Sequence, residues 1–315
     1  MIDITRSGKY VLTVNSPVLL AAGSAGFGAA YANLVSYQRL GALVTNPITY
    51  EPWSPTRGTR VVPLDAGALV HTGLPNPGLR HAVKEYARAW EALPLPVIVH
   101  LVATNRQQVR AGAELINETQ GIAALELGLN DDIGRQKAVE LVRAASDHLD
   151  KPVLVRLPMM DAYEIAEACA DNGAGALVVC APPRGTARDP HSQRLIQGRV
   201  YGPLLQPLIL RMVGVLRRRV DPEVPIIGAG GIHKPQDARD YLDAGAVAVQ
   251  IDSLLWIQPK LAERIARDLT GGLVTRPSDA YADEWHPDMG DTEWRANQGS
   301  PAQDDEPPQE TRARR

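Results

Sequence analysis

The 315-residue chain is poor in aromatic side chains and almost free of cysteine. Aromatic residues make up 5% of it, and Phe27 is the single phenylalanine. The core must therefore consist of Val, Leu, Ile and Ala, a composition that favours parallel strands buried on both faces. The two cysteines, Cys169 and Cys180, have neither metal-ligand nor redox-pair spacing. We expect a protein of a reducing compartment, without a metal site.

Long apolar segments and a large excess of one charge are also missing. The amino-terminal stretch MIDITRSGKYVLTV lacks the apolar centre of a signal peptide, and no run of about 18 apolar residues offers a membrane span. The net charge of −3 gives no general signal for binding nucleic acid. These absences predict a cytoplasmic protein that acts on a small molecule, without a membrane span or a nucleic-acid partner.

The sequence does contain a series of short aliphatic runs, most of them bounded by Gly or Pro as strands should be. The eight runs cover residues 17–23, 41–48, 96–103, 123–129, 152–158, 176–182, 225–231 and 246–252. Helical periodicity marks intervening segments at 80–93, 106–119, 162–173 and 235–245. Strand and helix alternating in this way predict a (β/α)8 TIM barrel. A doubly wound parallel sheet is the alternative.

Other segments do not fit the regular repeat. Residues 2–14 predict a β-hairpin with its turn at Ser7-Gly8, closing the bottom of the barrel. Insertions follow the second and sixth strands, at 49–79 and 183–202, on the face where barrels carry their active sites. From residue 276 to 315 the chain is polar, proline-bearing and aperiodic, which predicts a disordered tail after a TIM-barrel domain of residues 1–275.

Bare backbone follows the seventh strand at Gly228-Ala229-Gly230-Gly231, and Asp252 and Ser253 follow the eighth. In barrels these strand ends form the usual phosphate site, because main-chain N–H groups there point to the phosphate oxygens. Ser253 would add a hydroxyl, whereas the carboxylate of Asp252 would repel phosphate unless it faces away. A plain tight turn is the alternative explanation of the glycines.

Several segments together resemble the dihydroorotate dehydrogenase family of FMN-dependent barrels, especially its soluble members. The resemblance covers residues 16–257 and is carried by SPVLLAAGSAGFG (16–28), GALVTNPITYEPW (41–53), HTGLPNPG (71–78), PVIVHL (96–101), PVLVRLP (152–158), GPLLQPLILRMV (202–213), PIIGAGGI (225–232) and AVQIDS (248–253). TGLPNPG and IIGAGGI are the more specific pieces. The resemblance implies an FMN-dependent oxidoreductase of pyrimidine biosynthesis that oxidises dihydroorotate or a related CH–CH donor.

The resemblance also implies where FMN would bind. Its phosphate would rest on Gly202, Gly230, Gly231, Asp252 and Ser253. The flavin ring would lie across the barrel mouth, near Ala21, Ala22, Gly23, Thr45, Asn46, His100 and Arg156. The close approach of a phosphate then explains the bare backbone after the seventh strand.

The chain departs from the family pattern where the substrate would bind. The family lysine after the fifth strand is here Arg156, which is still a cation able to stabilise reduced flavin. A second family lysine is replaced by Asn46. Asparagines of the family are replaced at Val70, His100, Gly128 and Cys180. The departures put the substrate in doubt more than the cofactor.

The resemblance and its departures together give the candidate catalytic and substrate residues. Asp131 stands where the family has its cysteine or serine base, so it is either a base or a helix N-cap shared with Asp132. The catalytic candidates are Asp131, Arg156 and His100. The substrate candidates are His71, Asn76 and Asn130.

Arginines in the second insertion offer a further contact to substrate. Arg184, Arg188, Arg194 and Arg199 belong either to a solvated loop or to a lid that binds an anionic substrate through bidentate pairing.

The replaced family residues leave other functions open. The chain would then be a flavin barrel with a different substrate, a binding or regulatory barrel without redox chemistry, or a non-flavin barrel acting on a phosphorylated metabolite. The amphipathic amino-terminal extension of membrane-linked family members is not seen, which favours a soluble electron acceptor. An iron–sulfur partner subunit stays open, and a homodimer is expected because soluble members are commonly dimers.

Overall fold

Short strands alternate with helices along most of the chain. The computed structural model describes residues 1–270. In chain order the strands are β1 (Ile2–Asp3), β2 (Thr13–Val14), β3 (Val18–Leu20), β4 (Ala42–Val44), β5 (Val61–Leu64), β6 (Gly67–Val70), β7 (Val97–Val102), β8 (Ala124–Gly128), β9 (Val153–Leu157), β10 (Ala176–Val179), β11 (Arg184–Arg188), β12 (Leu195–Tyr201), β13 (Ile226–Ala229) and β14 (Ala248–Ile251).

The helices of residues 1–270 are α1 (Leu79–Glu91), α2 (Arg106–Glu118), α3 (Arg135–Ser146), α4 (Ala162–Asp171), α5 (Gln206–Arg219), α6 (Pro235–Asp243), α7 (Leu254–Ile257) and α8 (Pro259–Thr270). Four of them, α1, α2, α4 and α6, were predicted, and they begin and end close to the predicted positions. Gly173 and Gly245 follow α4 and α6 with φ of 111° and 102°. This left-handed conformation, which glycine adopts without strain, ends both helices where the sequence places their last turns.

Eight of the strands close into a parallel barrel, in the order β3-β4-β7-β8-β9-β10-β13-β14, with β14 returning to β3. Seven of them are buried at every residue, as aliphatic strands between an interior and a helical layer should be. The predicted TIM barrel is therefore confirmed. Closure of the sheet excludes the doubly wound alternative.

The predicted amino-terminal hairpin is confirmed as well. Strand β1 pairs with β2 in antiparallel register, with Ile2 opposite Val14. Ile4, Leu12 and Val14 are buried in one hydrophobic cluster with residues near the amino-terminal ends of the barrel strands, such as Leu19. The hairpin therefore covers the end of the barrel opposite the strand carboxyl ends.

The two insertions form a sheet that the sequence analysis did not predict. Strands β5 and β6 come from the first insertion, β11 and β12 from the second, and they pair antiparallel in the order β11-β12-β6-β5. The link between insertions is the β6–β12 pairing, with Val70 opposite Arg199. The interpretation of the second insertion as a solvated loop is therefore wrong, because its backbone is held in a ladder.

Two further predictions concern the carboxy-terminal tail and membrane-spanning segments. The predicted tail of residues 276–315 lies outside the described residues, so the boundary at residue 275 stays a prediction. Within residues 1–270, no helix is both long and apolar enough to cross a membrane.

Gly41 offers a test of stability, because the chain before β4 packs closely against the chain around β3 at this residue. The Gly41 N–H donates to Val18 O at 2.7 Å, and a Cβ on Gly41 would lie 2.0 Å from Ser16 O. We expect Gly41→Ala to lower the free energy of unfolding by about 1–3 kcal/mol, because the backbone must move. Gly8→Ala is the matched control, since a Cβ there meets nothing within 4 Å. Equal denaturation midpoints for the two variants would contradict the packing.

Candidate active site

The carboxyl ends of the barrel strands open into a cavity of about 430 Å³. Its lining combines buried barrel residues with residues of the antiparallel sheet. Arg156 on β9 is 4% exposed and lies at the deep end, whereas Arg184 on β11 has a side chain 71% exposed and lies at the rim. The cavity therefore has a cation at its floor and cations at its entrance.

A network of buried polar side chains holds the floor together. Glu126 Oε1 accepts hydrogen bonds from His100 Nδ1 at 2.8 Å and from Arg156 Nη1 at 3.2 Å. Its other oxygen accepts from Gln250 Nε2 at 2.5 Å. Gln250 in turn accepts from Arg156 Nη1 at 2.8 Å. Strands β7, β8, β9 and β14 are thus tied to one carboxylate in the barrel interior.

The charge state of Glu126 follows from these contacts. Complete burial alone would raise the pKa of this carboxyl. The Arg156 charge opposes that effect first, followed by the hydrogen bond and charge of His100 and the hydrogen bond from Gln250, and together they lower the pKa from 4.5 to about 2. Glu126 is therefore an ionised counterion for Arg156 throughout the neutral range.

Two departures from the family pattern are coupled in space. His100 on β7 and Gly128 on β8, both predicted to replace family asparagines, lie on neighbouring strands. A Cβ on Gly128 would lie 2.3 Å from His100 Nε2. The imidazole therefore fills the space that a side chain at position 128 would need, so the histidine requires the glycine.

Asp131 forms a bridge between the barrel and the antiparallel sheet. Arg184 Nε donates to its Oδ2 at 2.8 Å, and Arg199 Nη1 donates to its Oδ1 at 2.9 Å. Desolvation raises the pKa of Asp131, but hydrogen bonds from Arg199 and then Arg184, with their charges, outweigh it and lower that pKa. The helix-cap interpretation is wrong, because α3 begins after Gly134 and has no side-chain cap.

A glycine cup, consisting of Gly230, Gly231, Asp252 and Ser253, adjoins the ends of β13 and β14. Gly230 and Gly231 have φ of 101° and 71°, and a Cβ on Gly231 would lie 2.5 Å from the main-chain nitrogen of Gln206. Only glycine fits at this approach of the chain to the start of α5. Ser253 Oγ lies 3.1 Å from His233 Nε2, which adds polar groups to the cup.

Two buried acceptor atoms, each just after a barrel strand, lack a partner among residues 1–270. They are Oδ2 of Asp252 and Oδ1 of Asn46. Buried acceptors normally bind a donor, and FMN carries such donors in its ribityl hydroxyls and its ring N–H. Burial raises the pKa of Asp252, although hydrogen bonds from Ser253 and the charges of Arg156 and His233 oppose it. The orphaned acceptors and the glycine cup fit this cofactor.

Comparison with known proteins agrees with the geometry. The family model described as Dihydroorotate dehydrogenase matches residues 10–273. The chain belongs to the dihydroorotate dehydrogenase family. This assignment confirms the predicted resemblance, and with it the prediction of an FMN-dependent oxidoreductase acting on a CH–CH bond.

Relatives of this dihydroorotate dehydrogenase family member carry the name "Dihydroorotate dehydrogenase B (NAD(+)), catalytic subunit". The protein from Citrifermentans bemidjiense is 29% identical over 84% of this chain and 91% of its own length. That from Pelobacter propionicus is 30% identical over 85% and 94%. That from Desulforudis audaxviator is 31% identical over 82% and 89%. The similarity thus extends over nearly the whole of each relative.

Most of the predicted site residues of this family member lie at the carboxyl ends of the barrel strands, and five of them line the cavity. The predicted residues that line the cavity are Ala22, His71, His100, Asn130 and Arg156. Those in or beside the glycine cup are Gly202, Gly230, Gly231, Asp252 and Ser253. Those just after β3 and β4 are Ala21, Gly23, Thr45 and Asn46. Their proposed contacts to cofactor or substrate stay predictions.

Asn76 is the exception among the predicted substrate residues. Its Oδ1 accepts from the main chain of Thr49 and Gly78, and its Nδ2 donates to Leu74 O. It does not line the cavity. Asn76 therefore orders the loop before α1, and the structure does not bring it to the substrate side.

Glu126 and Gln250 are site residues that the sequence analysis missed. Each is a single polar residue inside an aliphatic run, AALELGL or AVAVQID. A charged residue in a strand buried on both faces requires a partner, and that signal alone could have identified Glu126.

The charge on Glu126 generates a stability prediction. We expect Glu126→Gln to lower the free energy of unfolding by about 3–5 kcal/mol near neutral pH, because Arg156 stays buried without its counterion. The pKa of Glu126 is about 2 in the folded protein and 4.5 ordinarily, so the stabilisation by the ionised carboxylate is complete at pH values above 4.5. This stabilisation is lost as the pH falls toward the folded-state pKa. Urea titrations at decreasing pH should show that the difference in free energy of unfolding between Glu126→Gln and the unmodified protein becomes smaller.

Glu114→Gln is the control for this experiment. Glu114 pairs with Arg110 at 2.8 Å on the exposed face of α2, so its removal should change stability little at any pH. A Glu126→Gln deficit that does not narrow in acid would show that Glu126 is not ionised in the folded protein.

Proposed function

We propose that this chain uses FMN to remove two hydrogens from a CH–CH bond of a small carboxylated donor, with dihydroorotate the first candidate. The observation that carries the proposal is the arrangement of cations along one cavity, with Arg156 at the floor and Arg184 and Arg199 at the rim. The relatives support the donor, because their names describe dihydroorotate dehydrogenases.

The cofactor side of the site divides into two parts. The glycine cup would hold the phosphate, and Asn46 and Asp252 would accept hydrogen bonds from the cofactor through their unpartnered oxygens. FMN, when bound, takes up a hydride and carries negative charge on its reduced ring. Arg156 would stabilise that charge, and the Glu126 carboxylate keeps the guanidinium in place.

The substrate side is defined by the two arginines that Asp131 holds. Each guanidinium has five N–H donors, and Asp131 uses only part of them. Because both arginines line the cavity, their remaining donors can pair with a carboxylate of the donor. His71 and Asn130 lie on the same lining and would contact the neutral part of the ring.

The partners and the location of the enzyme follow from the same assignment. The relatives are named as catalytic subunits, so we propose that this chain also works beside another polypeptide, which passes electrons to a soluble acceptor. A homodimer of the barrel and a cytoplasmic location complete the proposal.

Flavin binding is the first test of this function. The purified protein should show the near-ultraviolet and blue absorption bands of a flavin and release FMN on denaturation. Ser253→Ala should reduce the preference for FMN over riboflavin by about tenfold or more, the value of a hydrogen bond to a charged group. Titration of both ligands against the flavin-free protein measures that ratio.

The exposed Ser7→Ala variant, in the turn of the amino-terminal hairpin, is the control and should keep the preference of the unmodified protein. A colourless protein that takes up no FMN would overturn the redox function and favour a barrel that binds another phosphorylated ligand.

The rim arginines give a test of the donor. Arg199→Ala should raise the dihydroorotate concentration needed for half-maximal flavin reduction by about tenfold or more, because it removes a charge-assisted contact to the carboxylate. The effect should be much smaller for the uncharged methyl ester. Arg188→Ala on the same hairpin is the control, since its guanidinium donates to Gln193 O instead. An equal effect on acid and ester would contradict carboxylate recognition.

A further inference from the structure

The contact between His100 and Glu126 determines where the imidazole carries its hydrogen. An ionised carboxylate offers only lone pairs, and the pKa of Glu126 is lowered to about 2. The nitrogen that faces it, Nδ1 at 2.8 Å, must therefore be the donor. In the neutral imidazole the other nitrogen, Nε2, is then left with a lone pair and no hydrogen.

That lone pair lies at the wall of the cavity. His100 and Gly128 both line it, and Nε2 is the ring atom nearest the position where Gly128 lacks a Cβ. No residue within 1–270 hydrogen-bonds to Nε2. Without a Cβ at position 128 no side chain covers Nε2 from that side, and the imidazole, which is 6% exposed, contributes to the cavity wall.

The other proton acceptors around the cavity are less suited to neutral pH. Asp131 is held by two arginines, which lower its pKa. Desolvation raises the pKa of the Cys180 thiol and of the Tyr201 phenol to about 12, so both stay protonated. His71 lines the cavity, but no hydrogen bond within residues 1–270 orients its ring. Only His100 combines access to the cavity with an orienting carboxylate.

We propose that His100 is the catalytic base of this enzyme and that Glu126 is its positioning residue, in place of the cysteine or serine of the family. The inference rests on the proposed function. Nε2 takes a proton from one carbon of the donor, and the electron pair of that C–H bond becomes the second bond of the C=C product. The hydrogen on the neighbouring carbon would leave as hydride, and FMN, held by the glycine cup, would be the acceptor that supplies this two-electron oxidation. The imidazolium later returns its proton to water.

The surrounding charges suit this step. Glu126 and Arg156 form a neutral pair at rest, so proton transfer to His100 leaves the buried cluster with one positive charge. The negative charge of a reduced flavin would balance it. Glu126 stabilises the imidazolium through the hydrogen bond that already fixes the ring.

Nitrogen NMR tests the positioning without flavin or substrate. In protein labelled with ¹⁵N-histidine, the ring signals of His100 are assigned by their absence from the His100→Gln variant. These signals should be those of an imidazole that carries its hydrogen on Nδ1. Glu126→Gln should shift it toward the Nε2–H form, because an amide can also donate to Nδ1. Should that variant fail to fold, Glu126→Asp is the alternative, because it keeps the negative charge on a shorter side chain. It should weaken the preference of His100 for hydrogen on Nδ1. An Nε2–H imidazole in the unmodified protein would overturn the proposal.

Single-turnover reduction of bound FMN by dihydroorotate tests the base itself. His100→Gln should lower the limiting rate by about 10²–10⁴-fold with little change in affinity for orotate, and Glu126→Gln should lower it less. Asp131→Asn should mainly raise the donor concentration required. His81→Gln, on the exposed face of α1, should match the unmodified enzyme.

The opposite pattern would overturn the assignment. If Asp131→Asn abolishes reduction while His100→Gln reduces at the unmodified rate, the base is Asp131. If no flavin binds, the proposed function fails, whereas the NMR result still decides whether Glu126 orients His100.

Discussion

The Glu126 carboxylate is the constraint on which the site depends. An arginine in a barrel interior costs several kcal/mol of desolvation unless an anion pairs with it, and Glu126 is the anion that faces Arg156. The same carboxylate fixes the Gln250 amide and the His100 ring. Four strands thus share one charge, and the position of each polar group depends on the other three.

Two carboxylates in this molecule hold cations rather than move protons. Glu126 does so at the cavity floor and Asp131 at the entrance, where Arg184 and Arg199 converge on it. A guanidinium therefore lies at each end of the cavity, balanced by its carboxylate at the floor and in excess over the carboxylate at the entrance. This arrangement favours a ligand pair in which one partner carries a carboxylate and the other gains negative charge during the reaction. Proton chemistry is left to the imidazole between them.

Local patterns explain why the barrel was predictable and the sheet above it was not. Each barrel strand is an aliphatic run that identifies itself within a few residues, as in PVLVRLP around β9. The ladder between Val70 and Arg199 joins segments far apart in sequence, and no local pattern encodes that pairing.

The same reasoning explains the outcome at the site. The glycine cup follows from strand ends and glycine positions, so sequence could place it. The helix-cap interpretation of Asp131 failed because arginines 53 and 68 residues away compete for the carboxylate. Glu126 escaped notice because its partners lie on neighbouring strands, and only the closed barrel shows that they face one another.

The shared sheet changes how this barrel can diversify. Loops at the carboxyl ends of barrel strands are usually independent modules, which can be exchanged one at a time without disturbing the scaffold. Here the segments after β4 and β10 complete each other's ladder, so removing either would expose an unpaired strand edge in the other. The entrance to the cavity is therefore inherited as one unit, and a new substrate specificity would have to evolve through both segments together.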